Sequence, residues 1–340
     1  MAEKQPKICI LFCGGATLRN DEGRLVSVTK SDDIEGWLQE VPELRLVADI
    51  EPVFVLPDGK EIMPQDWQAI ADRIEKEYPQ SDGFVVLSSV DTLLYTGSAL
   101  SFMFKGLTKS VVTTGSALSP HVTKEKELEG FITNYKTIGI RANLINAVQV
   151  ATMGLPEVAI LFGNQLLRAN RARKSFATTF NVFEADEEDQ LGVVDFGIKL
   201  KKGKEIKKRN RLKVDSIADV QISVMRMHPG FREQEFAEIL STNPSAIIIH
   251  TYMQQGVPQR LHAYFRIAER QEIPVILYNQ FMGVDLPYKN VFMEYGMTYE
   301  ALYAKVHWAL SQTKSVKEFF TLLDTDVAHE FGEDGKEAAS

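Results

Sequence analysis

Short apolar runs alternate along the chain with stretches of helical spacing. Residues 7–12 (KICILF) form a β-like run that stops at Cys13-Gly14-Gly15, where glycines let the backbone turn sharply or approach a ligand. Residues 64–67 (PQDW) read as a helix start, and the AIADRIEKEY that follows has helical spacing. Residues 83–88 (GFVVLS) read as a buried strand, 93–104 as a helix, 110–114 as a strand, 143–153 as a helix and 157–162 as a strand. Strands alternating with helices predict a parallel sheet covered by helices. Ligands of such sheets sit at the carboxyl ends of strands, near the switch in strand order. The loops that open at Cys13, Ser88 and Thr114 all lie at such ends.

The pattern breaks at residues 199–213 (KLKKGKEIKKRNRLK), which carry nine basic residues and one Glu. This shift reads as a solvated linker or hairpin between domains; the alternative is a patch for an RNA or another anionic partner. Beyond it the alternation resumes, with strands at 217–225, 246–250 and 275–278 and helices at 231–240, 260–270 and 299–310. Residues 324–340 hold six acids and few apolar groups, which predicts a disordered tail. The expected organisation is an α/β fold of two domains. A larger parallel-sheet domain spans 1–198, a basic linker 199–214, a smaller α/β domain 215–323 and the acidic tail 324–340.

Bulk properties narrow the chemistry only a little. The 340 residues are 44% hydrophobic and 25% charged, as expected of a globular chain long enough for two cores. A net charge of -8 gives no basis for non-specific binding to nucleic acid or membrane. The two cysteines, Cys9 and Cys13, fall on one side of a strand but too far apart to bridge. Free thiols and the lack of a long apolar segment point to a cytoplasmic protein. His228, His250 and His262 lack metal-ligand spacing, so neither a metal nor a cofactor is expected.

Five pieces in a fixed order carry a family resemblance. They are Cys13-Gly14-Gly15-Ala16-Thr17, residues 88–104 (SSVDTLLYTGSALSFMF), residues 111–116 (VVTTGS), residues 163–174 (GNQLLRANRARK) and residues 296–312 (GMTYEALYAKVHWALSQ). Together the chain resembles the cytoplasmic-type L-asparaginases. That family shows TGGTI at the first piece and HGTDT at the second. The resemblance implies amide hydrolysis through an acyl-enzyme, in which one Thr attacks the side-chain amide of Asn. A second Thr, coupled to Lys and Asp, moves the proton, in the manner of a Ser-His-Asp set. It also implies a homodimer or homotetramer.

Carried over residue by residue, Asp91 and Lys174 are retained, but Ala16 stands at the first Thr position and Val90 at the second. Neither side chain has a hydroxyl to attack or relay. The stretch corresponding to the family's substrate-gripping Ser is Asp58-Gly59-Lys60-Glu61, again without a hydroxyl. Where relatives have a Gln and later an Arg-Ser-Asp run, this chain has Ala117 and Thr137-Ile138-Gly139. The expected ligand-lining positions are Gly15, Ala16, Asp58, Ser89, Val90 and Thr114. Thr17 is the neighbour best placed to act as a shifted nucleophile; Cys13 and Ser89 are weaker substitutes. Three functions remain open: a degenerate homologue that binds a small amino acid, an amidohydrolase working through Thr17 with Asp91 and Lys174, or an oligomeric scaffold.

Overall fold

The computed structural model describes residues 4–116, 140–175, 181–201, 211–253, 257–279 and 286–332. They form two compact units, residues 1–215 and 216–340. The first unit is built on an eight-stranded sheet. Its strands, in chain order, are β1 (Lys7–Cys13), β2 (Asp49–Leu56), β3 (Gly83–Ser88), β4 (Val111–Thr114), β5 (Val158–Phe162), β6 (Gln165–Arg168), β7 (Gln190–Val194) and β8 (Ile198–Leu200). The spatial order is β8-β7-β6-β5-β4-β3-β1-β2. The five strands β5-β4-β3-β1-β2 run parallel, and β6, β7 and β8 extend the sheet antiparallel.

The chain steps from β1 to β2 on one side, then returns to the other side of β1 for β3. The strand order therefore reverses between β1 and β3, and their carboxyl ends, Cys13 and Ser88, flank that point. Both faces of the central strands are buried, which is why β3 reads as a continuous apolar run. Ile8, Ile10 and Phe12 of β1 share one core with Trp37 of helix α1 (Asp33–Gln39) and with Leu144, Ala147 and Val148 of a later helix (Ile140–Ala151). On the opposite face lie α2 (Pro64–Glu77) and α3 (Leu93–Met103). α3 is buried almost all round, so it lacks the polar stripe of a surface helix.

The second unit has a four-stranded, all-parallel sheet of β9 (Ile222–Arg226), β10 (Ala246–His250), β11 (Val275–Tyr278) and β12 (Val291–Glu294), in sequential order. Because the order never reverses, this sheet has no switch point. Helices at Glu233–Ser241, His262–Arg270, Tyr299–Gln312 and Val316–Asp324 follow in turn.

Two expectations change. The acidic tail is not disordered from 324: α-helix Val316–Asp324 runs into it, and Glu330 is fully buried. The reason is a cation below it, Lys305, which the acid meets in an ion pair. Residues 333–340 lie outside the described part. The ends of the basic segment are strands rather than linker, since 198–200 closes the large sheet and Lys213–Val214 pairs with Phe104–Lys105. Residues 202–210, which hold most of its charge, lie outside the described part.

Candidate functional site

Three loops interlock where the strand order reverses. Gly14 forms an isolated bridge with Ser88. The Ser116 N–H donates to the Gly15 carbonyl (3.0 Å), and the Ser116 carbonyl accepts from the Val90 N–H (3.4 Å). Backbone bonds through Ser116 thus tie the loop of Ala16 to the loop of Val90. The weave requires glycine. A Cβ on Gly15 would lie 2.0 Å from the Ser88 carbonyl carbon, and one on Gly115 would lie 1.7 Å from the Ser88 oxygen. Both clashes are with backbone and cannot be relieved by a rotamer change. Gly15→Ala and Gly115→Ala are each expected to cost about 3 kcal/mol or more, read as a lower denaturation midpoint.

Ala16 is fully buried, with its methyl in the core beside Phe12, Leu18 and Trp37. Its carbonyl accepts from the Trp37 indole Nε1 (2.7 Å), and its N–H donates to Asp58 Oδ1 (2.9 Å). Trp37 in turn meets Phe12 edge to face at 5.2 Å. The position that the resemblance assigns to the first Thr is thus an alkyl group held on both sides.

The Thr17 hydroxyl is buried against Asp58. The residue is 1% exposed, and the hydroxyl donates to Asp58 Oδ2 at 3.0 Å. Its single proton is then used, so the 3.0 Å contact with Ser27 Oγ has Ser27 as donor. Asp58 also accepts from the Val28 N–H (2.9 Å), and the Asp58 N–H donates to the Val28 carbonyl (2.8 Å). Burial pushes the Asp58 carboxyl above its ordinary range, against the pull of the Ala16, Val28 and Thr17 donors. Asp58, expected among the ligand-lining positions, faces these loop donors with its carboxylate. Its carboxylate is used up in clasping the loops of residues 16–17 and 27–28, with only 6% of the residue exposed.

Asp91 and Lys174 do not meet among the described residues. Asp91 is exposed just before α3. Lys174 is exposed on a two-stranded ribbon, opposite Phe183. No hydrogen bond or ion pair joins them, so the expected Lys-Asp couple is absent from this structure. On the same ribbon Arg173 pairs with Glu184 and Asp186, both at 3.1 Å.

The remaining candidates separate by access. Cys13 is buried, and burial drives its thiol well above the ordinary range, as it pushes Cys9 up to about 12. Both are unreactive free thiols. Thr114 is fully buried, and its hydroxyl finds no hydrogen-bond partner. Ser89 and Val90 are half-buried. The Ser89 Oγ accepts from the Asp91 N–H (3.3 Å), as an oxygen bracing a turn into a helix does. Ala117 and Thr137-Ile138-Gly139 lie outside the described residues. Of the three candidate histidines, two bond locally: His262 Nδ1 lies 2.5 Å from the Tyr288 hydroxyl, and His228 Nδ1 accepts from the Gly230 N–H (3.2 Å); His250 packs between the rings of Tyr278 and Tyr299. No group of three or more metal-ligating side chains occurs among the described residues.

The comparisons agree with this fold. A family model described as "Asparaginase, N-terminal" matches residues 7–207. L-asparaginase 1 of Escherichia coli (strain K12) is 31% identical over 280 residues, which cover 76% of this chain and 77% of that protein. The L-asparaginase of Thermococcus kodakarensis is 27% identical over 293 residues, covering 80% and 83%. Among solved structures, L-asparaginase I from Vibrio cholerae superposes with a TM-score of 0.77 at 30% identity, covering 96% of this chain and 99% of that one.

Proposed function

Because this chain belongs to the asparaginase family, we propose that it keeps the family's scaffold and binds a small amino acid without hydrolysing its amide. The observation that carries the reading is Ala16, a buried methyl at the position where the resemblance implies the attacking hydroxyl. Val90 removes the second hydroxyl, and the separation of Asp91 from Lys174 removes the proton relay. A nucleophile in such a set is worth on the order of 10^6 in rate. What remains at the strand ends suits binding: Asp91 presents an exposed carboxylate beside the start of α3, with Ser89 and Thr92 half-buried next to it.

The alternative, an amidohydrolase working through Thr17, needs that hydroxyl to leave Asp58 and Ser27 and to reach solvent. The loop's bonds oppose this. Assembly as a homodimer or homotetramer follows from the resemblance and belongs to the same proposal. So does a cytoplasmic location, which two buried free thiols suit. No helix of the described residues is long and apolar enough to cross a membrane.

The test is a thermal shift with L-asparagine and L-aspartate. Saturation at 100 times Kd stabilises a protein by about 2.7 kcal/mol, a rise of several degrees. The expected result is a rise with at least one of them that Asp91→Ala abolishes. No rise at millimolar ligand would remove the binding half of the proposal.

A further inference from the structure

Beyond this reading, the second unit holds a buried charge cluster that the strand-end site does not use. Lys305 and Glu330 are both fully buried and meet at 2.5 Å. The ammonium spends its other protons on the carbonyls of Leu323 (2.7 Å) and Thr325 (2.8 Å). The Glu330 carboxylate also accepts from the N–H groups of Val327 (3.1 Å) and Ala328 (2.7 Å). The Phe331 ring lies over the ammonium, 4.6 Å from its centroid. A Cβ on Gly296 would sit 3.1 Å from that ring. Residues 326–331 are thus strapped over Lys305 and over the loop that follows β12.

That loop carries a second buried acid. Glu294, the last residue of β12, is 3% exposed and accepts from the N–H groups of Gly296 (2.7 Å) and Met297 (2.9 Å). The cation nearest it is Lys305, whose direct contact is already taken by Glu330. The titratable and charged groups around this cluster are Tyr278 across the sheet, Lys305 and Glu300 from the helix, and Glu330 and Asp326 from the strap. Among them Lys305 is the one cation against the carboxylates. With Glu294 neutral, the buried charges of Lys305 and Glu330 balance. With Glu294 ionised, a second carboxylate shares the pocket of Glu330 and opposes its seat.

We infer that residues 326–331 form a pH-responsive latch on the second unit, closed while Glu294 holds a proton and loosened when Glu294 ionises. Burial raises the Glu294 carboxyl above its ordinary range, and Glu330 raises it further, against Lys305 and the two backbone donors. The sign follows from linkage. An acid raised in the folded state adds stability that is complete below its ordinary range and is lost as pH climbs through the raised value. The loop under the latch is itself tied to the carboxyl end of this sheet: the Tyr278 hydroxyl donates to the Met297 carbonyl (3.1 Å) and the Asn279 N–H donates to the Glu294 carbonyl (3.0 Å).

Amide hydrogen exchange of Val327 and Ala328, corrected for intrinsic rates, reads the latch directly. Protection is expected to fall about tenfold or more between roughly pH 4 and 8 in the full chain and to stay flat in Glu294→Gln. Protection independent of pH in the wild type, or an equal fall in Glu294→Gln, would overturn the inference. Carbon-detected titration of Glu294 in the wild type serves if that variant misfolds. A midpoint above the ordinary carboxylate range, tracked by the Val327 and Ala328 amides, supports the latch, and a midpoint inside that range rejects it.

Discussion

Lys305→Ala is expected to lower the stability of the second unit by about 3–5 kcal/mol, the cost of leaving one partner of a buried ion pair alone. The substitution strands the Glu330 carboxylate and the carbonyls of Leu323 and Thr325, all of which Lys305 now satisfies. An exposed lysine would be worth no more than about 1 kcal/mol, so burial decides the size of the effect. Lost against a total of about 5–15 kcal/mol, it would shift the unit's unfolding strongly. Trp308, in the same helix as Lys305, is the single tryptophan beyond residue 67 and reports that transition by fluorescence. The paired replacement Lys305→Met with Glu330→Leu is expected to recover most of the loss, because apolar groups of similar volume replace buried pairs at little cost. An equal loss in the paired variant would mean that packing, and not the charge, holds the segment.

Much of this fold was legible in the chain. Residues 83–88 are apolar without interruption because both faces of β3 are covered, and the glycines after β1 and β4 mark where loops pass against Ser88. The edge strand Asp49–Leu56 escaped the pattern. It carries Pro52 and two acids, and it is paired on one side only, where proline is tolerated. The antiparallel extension from Gln165 to Leu200 is made of strands of three to five residues, too short for a periodic signal. Lys305 sits in a helix of ordinary composition, and its burial depends on a residue 25 positions later.

The candidate site divides in the same way. The loss of hydroxyls at Ala16 and Val90 follows from the resemblance alone. The roles of Thr17 and Asp58 do not, because the bond joining them spans 41 residues. A strand-end Thr beside a lost nucleophile invites rescue. Only the structure reveals that its proton is committed to Asp58.

The second large effect concerns rate. Ammonia release from L-asparagine is expected at no more than ~10^-6 of the rate of a family member with both threonines, the loss that follows when a nucleophile of such a set is removed. Thr17 cannot restore it without breaking its bonds to Asp58 and Ser27. Cys13 cannot, because burial keeps its thiol protonated. Thr17→Val is therefore expected to lower stability by about 1–3 kcal/mol, because buried Asp58 loses its one hydroxyl donor and Ser27 loses its partner, and to leave ammonia release at background. The decisive measurement is ammonia release by the wild type and Thr17→Val in millimolar asparagine, glutamine and short asparagine-containing peptides. Background release from both proteins is the predicted result, and sustained turnover by the wild type that disappears in Thr17→Val would contradict it.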